Sequence, residues 1–173
     1  MAMTGQGLID EVRDNIRRTS FQIPDTRILR WVNWGQEKVA DTHTFEEMRK
    51  IYTGDTAASS TSYGFPTRMK DIFSLRVVDG TNDRKLVYVP AREMDMVEPR
   101  PATDPEDVPT WYVDYGVNFE LVPVPDAIYP LRLRCSVYPT DLTVTAVSQL
   151  LRKDRLMVVA GTVFGGFGAE RLQ

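Results

Sequence analysis

The sequence predicts an α+β fold: an N-terminal helical hairpin and a C-terminal helix forming a small helical bundle, with an inserted antiparallel β-hairpin layer. Three observations lead there. Apolar residues recur every three or four positions near both ends of the chain, whereas between about residues 71 and 139 they alternate with polar ones. Turn residues punctuate that middle region into paired runs, and no internal repeat or strand–helix alternation is present.

In order, residues 5–19 read as the first helix, with Leu8, Val12 and Ile16 spaced by four and Arg17 and Arg18 at the end that favours cations. Pro24 and Asp25 open a second helix over 24–43, with Asp25 as its expected cap. Ile28, Leu29, Val32, Gln36 and Val39 gather on one side of it, with Trp31 at the margin, and Trp34 points nearly the other way. A large aromatic opposite the core stripe either awaits a partner or is covered by a later segment of the same chain. His43, near the end of this helix, has no second histidine or cysteine cluster beside it and reads as a capping or packing residue.

The stretch YTGDTAASSTSYGFPT (52–67) is small, polar and unpatterned, and is expected to be a flexible arm that orders on assembly, with Tyr63 and Phe65 as contact candidates. DIFSLRVVDGTNDRKLVYVP gives a hairpin with Phe73, Leu75 and Val77 on one face and a turn through Asp79–Asp83. AREMDMVEP reads as a short helix or turn, and Asp114–Gly116 as the turn after an aromatic strand. NFELVPVPDAIYPLRLRCSVYP (118–139) reads as two strands hinged at a Pro-x-Pro-Asp corner. In its second arm Leu131, Leu133, Cys135 and Val137 share one face, and Arg132, Arg134 and Ser136 the other. A last helix over 145–164 collects Val147, Leu150, Met157, Val158 and Gly161 on one side. FGGFGAERLQ then reads as a flexible tail whose Phe164, Phe167, Arg171 and Leu172 can anchor in another subunit.

A chain of 173 residues, 42% hydrophobic and 26% charged, with mean hydropathy -0.29, has the composition of a single soluble domain spanning 1–173. No apolar run approaches the roughly 20 residues of a membrane span, and Asp10 and Glu11 follow the start too soon for a signal peptide, so the chain is expected to stay in the cytoplasm where it is made, without membrane contact. The single cysteine, Cys135, excludes an internal disulfide. A net charge of -3 and a pI of 5.2 argue against a sequence-independent DNA clamp.

The chain has no GxxxxGK[ST], GxGxxG, HExxH, CxxC or GxSxG motif. Carboxylates such as Glu46 and Glu47, Glu93 and Asp95, or Asp104, Glu106 and Asp107 fall in polar stretches where nothing separates their pKa values for acid/base work. No enzyme activity, cofactor or metal is expected.

Four stretches together resemble the bacteriophage head-to-tail adaptor family: DTRILRWVNWGQEKVA, FPTRMKDIFSLRVVDG, KLVYVPAREMD, and PTWYVDYGVNFELVPVPDAIYPLRLRCSVYPTDLT. The likeness covers residues 7 to about 160. It implies a structural virion protein in the neck, between capsid and tail, that forms a ring, usually dodecameric, beneath the portal. Its partners would be further copies of itself, the portal protein and a tail or nozzle protein, and genomic DNA would pass through without sequence-specific binding. Under that resemblance the candidate interface residues are Trp34, Tyr63, Phe65, Arg132, Arg134, Phe164, Phe167, Arg171 and Leu172. Competing readings are a tail-completion protein further from the portal and a small peptidoglycan-degrading enzyme of the virion.

Overall fold

The computed structural model describes residues 3–16, 23–97, 105–150 and 153–170, with side chains as far as Phe164 in the last segment. In chain order the elements are α1 (Gly5–Ile16), α2 (Asp25–Thr42), a 3-10 turn (Glu46–Met48), β1 (Arg49–Asp55), β2 (Ser62–Gly64), β3 (Met69–Asp79), β4 (Asn82–Lys85), β5 (Val87–Tyr88), α3 (Ala91–Val97), β6 (Trp111–Asp114), β7 (Asn118–Val122), β8 (Pro130–Val137) and α4 (Asp154–Glu170). The fold is α+β. The chain divides into two compact units, Met1–Arg49 with Tyr138–Gln173, and Lys50–Val137.

In the helical unit, α1, α2 and α4 share a core of Leu8, Ile9, Val12, Ile28, Trp31, Val32, Met157 and Val158. This is the amphipathic spacing of the sequence realised as packing. Gly35 marks the closest approach of α2 and α4, because a Cβ there would lie 3.0 Å from both Ala160 Cβ and the Gly161 nitrogen. Only a residue without a side chain leaves room for the neighbouring backbone. Asp25 is not the cap of α2: Pro24 holds that position without a side-chain hydrogen bond, and Asp25 instead pairs with Arg13 of α1. The expected continuation of the first helix to residue 19 lies outside the described residues beyond Ile16.

The expected helix start at 145 is wrong, because α4 begins at Asp154. The reason is that the preceding carbonyls are already engaged. Gly5 and Gln6 donate their backbone N–H groups to Ala146 O and Val144 O, each at 2.8 Å, satisfying first-turn donors of α1 that have no intrahelical partner. A Cβ on Gly5 would collide with Thr143 O, which explains the glycine. From α2, Asn33 donates to Leu142 O (3.2 Å) and accepts from Leu142 N (2.8 Å), while Gln36 donates to Thr140 O (3.0 Å). Amide side chains thus hold the segment in a non-helical path, which turns at 143–146. At its far end α4 continues to Glu170, so FGGF belongs to a helical backbone and not to a flexible tail. Propagating an existing helix costs far less than nucleating one.

The second unit is a pair of sheets, β1-β8-β3-β4 and β2-β7-β6-β5. They enclose a core of Leu75, Val77, Leu86, Tyr112, Phe119, Leu121, Leu131, Leu133, Cys135 and Val137. The unit is larger than the expected 71–139 insertion, because the 52–67 stretch contributes β1 and β2 and is not an unstructured arm. Polar, Gly-rich sequence hides these strands: β1 is exposed along its whole length and β2 is largely so.

The β3–β4 hairpin forms as expected, with Gly80 at φ 58 in its turn. A register shift between Ile72 and Ser74 opposite β8 turns Phe73 out of the core, where it is 45% exposed. The 118–139 stretch is not a hairpin. Its first arm, β7, pairs with β2 and β6, whereas its second, β8, pairs with β3. Alternation specifies which face of a strand is buried but not which strand lies beside it. Leu86 marks a second crossing, between β4 in one sheet and β5, which pairs in parallel with β6, in the other. The helix α3 covers the outer side of the second sheet, where Met94 meets Val113 and Val122.

Candidate functional site

Two of the expected contact residues come together in the helical unit. Trp34 on α2 and Phe164 on α4 meet edge to face with ring centroids 6.0 Å apart. Trp34 is nevertheless 47% exposed. It borders a shallow cleft of about 340 Å³ lined also by Arg30, Asn33, Glu37 and Asp141. A later segment of the chain thus covers one edge of the indole and leaves the rest of it exposed.

The same helix carries a surface that the sequence reading missed. Leu156, Val159 and Val163 of α4 are half or more exposed, while Met157, Val158 and Gly161 on its other side are buried. The spacing of three and four puts the exposed residues on one face. The run of apolar residues on every side of α4 was the available signal, since a helix apolar all round is normally buried all round. Phe167 lies on the α4 backbone with its side chain beyond the described portion, and Arg171 and Leu172 lie outside the described residues.

In the sheet unit, Tyr63 and Phe65 pack on Phe119 at centroid distances of 5.6 and 4.8 Å. The Tyr63 hydroxyl also donates to Ser60 O at 2.9 Å and accepts from Ala57 N at 3.1 Å, so this ring ties down the 57–60 turn. Together with Tyr52, Leu131 and Leu133 these aromatics line a groove of about 450 Å³.

Arg132 and Arg134 project from the outer side of β8, as their alternation predicts. Arg132 stands directly opposite Arg76 in the register, and both reach the single carboxylate of Asp83, at 3.5 and 3.3 Å. Arg134 is exposed and makes no ion pair among the described residues. Cys135, next along the strand and facing inward, is fully buried, and burial pushes its thiol pKa up, which suppresses the reactive thiolate.

No group of three or more His, Cys, Asp and Glu side chains that could hold a metal occurs among the described residues. Nor is any described helix long and apolar enough to cross a membrane. What the molecule presents instead is apolar and charged surface arranged on rigid elements. A family model described as SU10 adaptor protein matches residues 3–160, nearly the whole of both units.

The chain belongs to the SU10 adaptor protein family.

This is a family of phage head-to-tail adaptors, so the adaptor is a structural component of a phage particle that contacts other virion components. Among curated proteins, none matches the chain.

Proposed function

We propose that the adaptor forms a ring beneath the portal in the phage neck and serves there as the platform on which a tail or nozzle protein docks. The observation that carries this reading is the apolar face of α4, Leu156, Val159 and Val163, left uncovered on a helix whose other side is locked to α1 and α2. Half-exposed Trp34 stands on the adjacent helix. Aromatic and aliphatic side chains exposed on rigid helices are the groups that act as anchors in protein interfaces. The helical face is thus assigned to the portal, and the sheet unit to neighbouring subunits and the tail component.

Native mass spectrometry of the protein alone and with its cognate portal tests the proposal. The expected outcome is a portal-bound ring, with Val159→Glu preventing docking while the subunit stays folded. Wild-type protein that ignores the portal and co-purifies with tail-tube protein would place it further down the tail and refute the assignment.

A further inference from the structure

The sheet unit is electrically lopsided. Strands β1, β3, β4 and β8 carry eight Lys and Arg against four Asp. In the opposing layer, the described residues 87–97 and 105–129 hold seven Asp and Glu against Arg92 alone. A chain of net charge -3 therefore presents one basic and one acidic sheet layer, back to back across a common core.

Each layer has a focus. On the basic side Arg76 and Arg132 are register partners that share one carboxylate, and Arg134 is one pleat further along. Like charges directly opposed in a sheet are destabilising; one Asp83 carboxylate serves two of these three guanidiniums, and Arg134, opposite Ser74, adds a third, so the patch keeps a net positive charge that favours an anionic surface. Exposed Phe73 on β3 and Ile51 on β1 add apolar area on strands of the same sheet. On the acidic side α3 lies against β6, and Glu120 stands opposite Val113 in the β6–β7 register. Burial first, and then the negative charges of Glu120 and Asp95, hold the Tyr115 pKa above its ordinary value. Tyr115 is 48% exposed, so this cluster also offers an aromatic contact.

We propose that the basic face of one copy, centred on Arg132 and Arg134, docks on the acidic face of a second copy, centred on Asp95 and Glu120. The occupant follows from charge complementarity. The surface that the arginines require is carried by the chain itself, and the net negative charge of the whole molecule disfavours a polyanion such as DNA. Two different surfaces on opposite sides of one rigid sandwich make a heterologous, head-to-tail contact, which closes into a ring when its rotation permits. The proposal rests on the ring reading above and names the contact surfaces that reading requires.

Two charge reversals test it: Arg132→Glu with Arg134→Glu, and Asp95→Lys with Glu120→Lys. Assembly is measured by native mass spectrometry on the chain alone at high concentration and low salt, and on the portal. Each variant alone should weaken self-association at least about tenfold, and an equimolar mixture should recover it, because the two wild-type faces still pair and the two reversed faces again carry opposite charge. If a double variant melts early, Arg134→Glu alone reads out the basic face from an exposed side chain. Wild-type rings with unaffected variants would overturn this proposal and leave the ring standing. Wild-type protein that never oligomerises, even on the portal, would overturn both. Retention of a duplex oligonucleotide that is lost in the arginine variant, with self-association unchanged, would overturn the copy-to-copy contact in favour of a phosphate ligand.

Discussion

At the residue scale, side chains that look alike in the sequence have different work. Trp34 is a half-open surface aromatic, whereas Trp31, three positions earlier, is buried beneath the guanidinium of Arg27, 5.6 Å from its ring centroid. Tyr129 illustrates how a local pair governs a titration. Its hydroxyl donates to Asp126 at 2.6 Å, and this bond, ahead of burial, pushes its pKa up to about 12. An unfolded tyrosine titrates near 10. The folded state holds the proton more tightly, so this contribution to stability is present below pH ~10 and is lost as the pH rises through about 12. Phenolate absorbance should accordingly show Tyr129 among the late-titrating tyrosines, and Asp126→Asn should move its titration back toward the ordinary range. An unchanged titration would show that the bond does not form in solution.

At the element scale, the decisive feature is the irregular segment from Pro139 to Leu150, whose part from residue 145 reads as helix in sequence and is held non-helical in the molecule. Its restraints are single side chains, above all Asn33, which makes two hydrogen bonds to the backbone of Leu142. Leaving a part-buried N–H and C=O without partners costs on the order of 1–3 kcal/mol. Asn33→Ala should lower thermal stability by that amount, and Asn33→Asp, which keeps the acceptor and loses the donor, should fall between it and wild type in a melting experiment. The 52–67 stretch shows the same limit from the other side. Its strands survive without a hydrophobic pattern because β1 and β2 are sheet-edge strands, recruited by β8 and β7, and not by their own burial.

At the scale of the whole molecule, an adaptor must be stable as a subunit and still hold surface in reserve. The core of the helical unit and that of the sheet unit are each closed, while the α4 face and the Trp34 edge stay open. Trp34→Ala should therefore leave the melting temperature nearly unchanged and weaken attachment to the portal by about 2 kcal/mol, as truncating an interface hot spot does. A large loss of thermal stability with normal attachment would assign the indole to internal packing with Phe164 instead.

Much of this was legible in the sequence itself. Periodicity alone determined the α+β class, the buried sides of α1 and α2 and the apolar side of β8, the β3–β4 hairpin and the outward placement of Arg132 and Arg134, because burial of a face depends mainly on residue spacing along one element; Ser136, read on the arginine face, is instead buried and donates to Asp71. Only the tertiary structure decided which strands pair, where α4 begins and how far it runs, that 52–67 becomes sheet, and that Trp34 meets Phe164. Those outcomes depend on partners distant in the chain: backbone groups of 140–147 are claimed by α1 and α2, and edge strands are claimed by a neighbour's free hydrogen bonds. Local pattern carries no record of a partner supplied from elsewhere, and that is the physical reason the faces could be read in advance while the pairings could not.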